Sequence, residues 1–297
     1  MKIKKFFNDS ELYSYLDEFL KIYKNRPFPD NAGGMGLNHS FALYSLIKKL
    51  KIKKVYESGI YKGHSTWLIE QINKDIEIVA LDINLNLREY ISNSKQVKYY
   101  EGDVEDLSYE GINRDETLFF FDDHTNVIKR LQFLKAWNVK YAVFEDNYPP
   151  GQGDSYSIRK IKKQTGQTIE EWFPKHVNNE KKYSNKYIQK FYNRLTGQSS
   201  SLQHFLITYP YYQNKLRKPN KSDLILFNKI VKNDYEIQPV FINDLQRWGN
   251  DWTGDYSSLP PLFKSFQESK FSKEFNLINE QSKGSFDYTY FSFVELY

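Results

Sequence analysis

The 297-residue chain contains no cysteine, which excludes disulfides, thiolate metal sites and cysteine nucleophiles. It also lacks any apolar run approaching the length that crosses a bilayer. The basic start Met1, Lys2, Ile3, Lys4, Lys5 is followed by Phe6 and Phe7, but Asn8, Asp9, Ser10 and Glu11 interrupt it before the apolar stretch of a signal peptide forms. The sequence therefore predicts a cytoplasmic protein without a membrane span. No internal repeat, low-complexity tract or clear linker divides it, so it reads as one decorated domain. Mean hydropathy is low, at −0.70, yet 17% aromatic residues supply bulk for a core, and disorder is not expected. The net charge of +5 is spread through residues 48–54, 160–163, 181–190 and 215–221. Dispersed charge marks solvated faces rather than a nucleic-acid footprint, and it is as compatible with sugar nucleotides or acidic glycans.

What is present is organised around residues 55–66, Val-Tyr-Glu-Ser-Gly-Ile-Tyr-Lys-Gly-His-Ser-Thr. Residues 53–56 read as a strand end, Gly59 and Gly63 permit a tight turn close to a ligand, and a helix starts from Ser65. Unpaired N–H groups at such a helix start, including those of Ser65 and Thr66, attract an anionic group, while Glu57 can accept from a cationic or hydroxyl-bearing one. The spacing Glu-x-Gly-x-x-x-Gly is not the dinucleotide fingerprint, and no phosphate-loop Gly-Lys-Ser/Thr follows.

Residues 76–82 form a short apolar strand ending in Asp82, which lies 25 positions after Glu57 (82 − 57). That is near the separation at which α/β nucleotide sites place the carboxylate for ribose hydroxyls. Residues 97–106 give another strand and turn, with Asp103 and Val104 at its end. Residues 117–124 are an apolar strand ending in Asp122, Asp123 and His124; after a helix over 126–137, a fifth strand over 139–147 ends in Glu145, Asp146 and Asn147. In an open parallel sheet these acids converge on one rim, where they suit a hard divalent ion such as Mg²⁺ and leave His124 as a base.

The glycine-rich stretch resembles motif I of the class I S-adenosylmethionine (SAM) dependent methyltransferases. The Asp-Asp-His and Glu-Asp-Asn strand ends resemble their metal-dependent branch, which includes sugar O-methyltransferases and cephalosporin hydroxylase-like proteins. The resemblance spans residues 40–147 strongly and the late strands weakly. It implies an α/β fold: a Rossmann-like, doubly wound seven-stranded sheet with one antiparallel strand and a helical insertion after the fifth strand. Residues 1–39 would form an N-terminal helix and a cofactor-covering loop. The methyltransferase domain would occupy 40–297, with the insertion at about 148–234.

It further implies a SAM-dependent O-methyltransferase acting on a sugar hydroxyl of a glycan, glycolipid or nucleotide-sugar. Glu57, Gly59, Gly63, Ser65, Thr66 and Asp82 would hold the cofactor, with Asp103 meeting the adenine amino group and Val104 packing on the ring. Asp122, Glu145 and Asp146 would hold Mg²⁺ or a similar ion, and His124, or Asp123 in its place, would take the acceptor's proton. The family's acid stands three positions before the histidine, where this chain has Phe121, so Asp122 or Asp123 must substitute or the metal site is altered. Two alternatives share the scaffold: a cephalosporin hydroxylase-like metal enzyme, and a non-catalytic SAM- or glycan-binding protein. A homo-oligomer is compatible with all three.

Elsewhere, residues 10–25 carry the apolar recurrence of an amphipathic helix, 26–36 read as a loop that could close over a cofactor, and Ser40 is expected to cap a helix through Leu50. His39 is read as a flanking polar residue. Asp154, Tyr156 and Trp172 are candidates for an acceptor-binding lid, and residues 235–242 and 289–297 for two late strands.

Overall fold

A computed structural model describes residues 4–31, 33–148, 155–163, 221–240, 259–264, 269–282 and 290–297. Asp154, Trp172 and most of the helical insertion expected at about 148–234 lie outside these residues. Among the described residues no helix is long and apolar enough to cross a membrane.

In chain order the elements are β1 (Lys4–Lys5), α1 (Asp9–Tyr23), α2 (Leu37–Leu50), β2 (Lys54–Ser58), α3 (His64–Ile72), β3 (Glu77–Asp82), β4 (Val97–Glu101), β5 (Thr117–Phe121), α4 (Val127–Ala136), β6 (Tyr141–Phe144), α5 (Ile158–Lys163), α6 (Lys221–Ile230), β7 (Val231–Glu236), α7 (Ser272–Ser282) and β8 (Ser292–Leu296). The sheet order is β1-β7-β8-β6-β5-β2-β3-β4. Strands β2 to β6 pair in parallel, and β8 is antiparallel to both β6 and β7. These seven strands are the expected sheet. The eighth is the short β1, paired in parallel with β7 at Lys4↔Tyr235 and Lys5↔Glu236. The basic start of the chain thus becomes an edge strand.

The apolar run of β5, Thr-Leu-Phe-Phe-Phe, is buried at all five positions because helices and neighbouring strands cover both its faces. Phe119 and Tyr56 stack at 4.7 Å between centroids, and Phe121 stacks on Phe144 at 5.1 Å, which fixes the central strands laterally.

Helix α1 is held at its start by Asn8 and Glu11 in a capping box, and it buries Leu12, Leu16, Phe19, Leu20 and Tyr23. Helix α2 differs from the expectation. It starts four residues earlier, at Leu37 with Gly36 as its cap, so Ser40 is a buried interior residue. The reason is that residues 37–47 are buried all round, so the polar Asn38, His39 and Ser40 bond inside the protein instead of ending the helix.

Strand β7 also starts earlier than the expected 235–242, at Val231, and ends at Glu236. Beyond it the ladder stops before Pro239, which has no N–H, and Val240 N–H donates instead to Asn38 Oδ1 at 2.8 Å.

The chain forms two compact units. The first comprises Met1–Asp123, Leu131–Asn147 and Asn228–Tyr297 and contains the sheet. The second comprises His124–Arg130 and Tyr148–Phe227. Within it Asn126 pairs with Tyr156, and the buried Tyr156 hydroxyl donates to Asp223 Oδ2 at 2.5 Å. That bond uses the hydroxyl of the one lid candidate that the structure describes.

Candidate active site at the carboxyl ends of the parallel strands

Because β2 to β6 run the same way, their carboxyl ends share one rim of the first unit, and the order reverses between β2 and β5. That reversal is where open α/β sheets leave a ligand crevice. Glu57 and Ser58 end β2, Asp82 ends β3, Asp103 follows β4, Asp122 and Asp123 follow β5, and Glu145 and Asp146 follow β6.

The turn after β2 is built for close approach. Gly59 has φ +94°, and a Cβ there would lie 2.1 Å from the Asp122 carbonyl oxygen. Gly63, the cap of α3, has φ +95°, and its Cβ would lie 2.8 Å from the Tyr90 carbonyl oxygen. Both positions therefore require glycine for conformation and for space. Asp82 fixes the turn from the next strand: Ile60 N–H and Tyr61 N–H donate to its Oδ2 at 2.8 and 3.1 Å, and Asn84 N–H to its Oδ1 at 3.0 Å. These bonds were not foreseen, and they leave part of the Oδ1 acceptor capacity for a ligand hydroxyl.

Glu57 is fully buried. Its Oε2 accepts from Thr66 Oγ1 at 2.6 Å, whereas Oε1 is buried with no hydrogen-bond partner. Burial is the main reason its pKa rises from 4.5 to about 7; Ser65 and Thr66 oppose the rise and Asp82 adds to it. Ser65 and Thr66, expected to serve the ligand through their N–H groups, are themselves buried at the start of α3. His64 beside them is buried, with its Nε2 3.1 Å from Ser40 Oγ and its Nδ1 without a partner. Burial first, and Arg26 second, lower its pKa from 6.5 to about 3.

These two groups oppose each other in pH dependence. The stabilising contribution of Glu57, raised above its ordinary value, is complete below pH 4.5 and is lost as the pH rises through about 7. That of His64, depressed, is complete above pH 6.5 and is lost as the pH falls toward about 3. Relative to wild type, Glu57→Gln should therefore gain roughly 3 kcal/mol of unfolding free energy between pH 4.5 and 7. His64→Gln should gain in the opposite direction, as the pH falls. Urea unfolding at a series of pH values tests both, and two curves parallel to wild type would refute the assignment.

The remaining acids are placed as follows. Asp103 caps the short turn Val104–Asp106, its Oδ1 accepting from Glu105 N–H at 2.9 Å, and Val104 is buried. Asp123 Oδ2 accepts from Ser58 Oγ at 2.7 Å, tying the end of β5 to that of β2. Asp122 and Asp146 each present a carboxylate oxygen within 4.8 Å of the other.

Glu145, expected among the metal ligands, is bonded to α2 through one of its two oxygens. Its Oε1 accepts from His39 Nδ1–H at 2.5 Å, and both residues are buried. His39 Nε2 accepts from Tyr290 N–H at 2.7 Å, so the ring is the neutral Nδ1–H tautomer, a link from α2 to the segment before β8. Sequence reasoning missed this pair. The available signal was an Asn-His-Ser triplet directly ahead of the apolar run Phe41, Ala42, Leu43 and Tyr44. His124, the first residue of the second unit, has φ +53°, a conformation uncommon for any residue but glycine.

The loop over 26–36 packs on the glycine turn. Gly33 sits against Tyr61, and Lys62 lies 5.8 Å from the Phe28 ring centroid and 2.8 Å from Glu89.

No family model matches the sequence, and no curated protein does. Among solved structures the chain is similar to the apo structure of CmcI, at 18% identity over 36% of this chain, spanning about half (51%) of that one, with a TM-score of 0.32. It is also similar to the SAH-bound methyltransferase PaMTH1 of Podospora anserina, at 17% identity over 63% and 79% of the two chains, TM-score 0.34. A third is an O-methyltransferase of Bacillus cereus in complex with SAH, at 16% identity over 48% and 68%, TM-score 0.30. The architecture described above stands on the strand order itself.

Proposed function

We propose that this chain is a SAM-dependent O-methyltransferase whose acceptor is a sugar hydroxyl of a glycan, glycolipid or nucleotide-sugar. The observation that carries the reading is the buried Glu57 carboxylate, with one oxygen unpartnered, beside two glycines that admit no Cβ, at the point where strand order reverses. A ligand with an ammonium and a ribose fits that donor and acceptor set. Glu57 receives the cationic end, the turn through Gly59 and Gly63 lies against the ligand backbone, and Asp82 offers its remaining lone pair to a ribose hydroxyl. Asp103 and Val104 are assigned to the adenine end.

SAM when bound supplies an electrophilic methyl carbon on a cationic sulfur. The chain must then orient the acceptor oxygen and remove its proton. Two carboxylates, Asp122 and Asp146, would suit a hard divalent ion such as Mg²⁺, which would supply positive charge to orient the acceptor hydroxyl and lower its pKa. An imidazole is a poor partner for such an ion, so His124 is assigned as the base. Glu145 is left out of the ligand set because His39 holds it.

Calorimetric titration with SAM and with S-adenosylhomocysteine, in Mg²⁺ and in EDTA, tests the reading. Micromolar binding of both ligands is expected, lost in Glu57→Ala. A folded protein that binds neither would overturn it.

A further inference from the structure

We propose that Glu57 is a proton-exchange site within the cofactor cradle: a ligand that brings a cationic group to its unpartnered oxygen displaces a proton from the carboxyl to solvent. The inference rests on the SAM reading above and goes beyond it, because holding a cation does not require giving up a proton.

The surroundings of Glu57 make the difference. Its lateral neighbours in the sheet are Ala80 on β3 and Phe120 on β5, both fully buried and apolar. From α3 it meets Ser65 and Thr66, which are neutral, and the Thr66 hydroxyl occupies Oε2. His64 on the same helix is held neutral by burial and by Arg26. The charged group that acts on it is Asp82, a like charge that disfavours ionisation. Tyr99 on β4 also couples to it; burial, and in smaller part Glu57, hold that phenol above its usual range, so it stays neutral near pH 7. No cation therefore offsets the burial of Glu57 in the described first unit, and the carboxyl is about half protonated at pH 7. An ammonium placed at Oε1 reverses the balance, since an opposite charge within contact distance favours the ionised form. The proton leaves and no other bond changes.

The test is calorimetric titration with S-adenosylhomocysteine, whose ammonium stays protonated near neutrality, in buffers of different ionisation enthalpy. Release is expected to be largest at acidic pH and to fall away as the pH rises through about 7, where the carboxyl is already ionised. Glu57→Gln should bind more weakly, and the binding that remains at raised concentration should release no proton. Binding with the same proton count in wild type and Glu57→Gln overturns the inference and leaves the SAM reading intact. If Glu57→Gln does not fold, the wild-type series decides, and release that is constant from pH 6 to 8 overturns it. A wild-type protein that binds no S-adenosylhomocysteine overturns the underlying reading, and this inference falls with it.

Discussion

Gly59→Ala is expected to abolish measurable SAM binding and to destabilise the fold by about 3 kcal/mol or more. Two costs add at this position. The first is conformational, because φ +94° is a region that residues with a Cβ rarely adopt, at about 1–3 kcal/mol. The second is steric, and larger. The new methyl would sit 2.1 Å from the carbonyl oxygen of Asp122, and that atom is backbone, so no rotamer change relieves the clash. Gly59 itself is anchored, its N–H donating to Leu81 O at 2.9 Å, while Asp122 N–H donates to Ser58 O at 2.8 Å. Relief must separate the ends of β2 and β5, which is the crevice the ligand needs. Gly111→Ala separates the two costs: φ there is +74°, and nothing lies within 4 Å of the added Cβ. Urea unfolding of both variants, with SAM titration of each, should show roughly 1 kcal/mol and intact binding for Gly111→Ala. Equal behaviour of the two would remove the steric argument.

The same glycine shows what the sequence could and could not reveal. Its position between an apolar strand and a helix start announced a tight turn, since period and composition carry that information locally. Its contact with Asp122, 63 positions away (122 − 59), is a product of β2–β5 pairing, which no local pattern encodes. The acids divide in the same way. That strand ends would converge followed from parallel topology, and Asp122 and Asp146 do share a rim. Which acids face a ligand did not follow, because each carboxylate is also an acceptor for whatever donor the fold brings near. Asp82 collects the N–H groups of its own glycine turn, Asp123 the Ser58 hydroxyl, and Glu145 the His39 ring. Strand β7 was placed late because its Val-Lys-Asn-Asp-Tyr-Glu sequence is polar and bulged between Val231 and Asn233, so alternation is lost there.

His124→Asn is expected to lower turnover by about 10²- to 10⁴-fold while Mg²⁺ still binds. Asparagine is the substitution of choice because the backbone at 124 has φ +53°. Among residues with a Cβ, asparagine tolerates that region best, whereas alanine would mix a backbone cost with the loss of the imidazole. The size of the effect follows from the reaction class. An acceptor hydroxyl must lose its proton as the carbon–oxygen bond forms, and a positioned base contributes two to four orders of magnitude to such a step. Mg²⁺ binding separates this role from that of a ligand, since it should be kept in His124→Asn. Asp146→Asn should instead weaken the Mg²⁺ response, because an amide cannot replace a carboxylate toward a hard ion at equal strength. If His124→Asn abolishes Mg²⁺ binding, the imidazole is a ligand, and the proton must leave through another group.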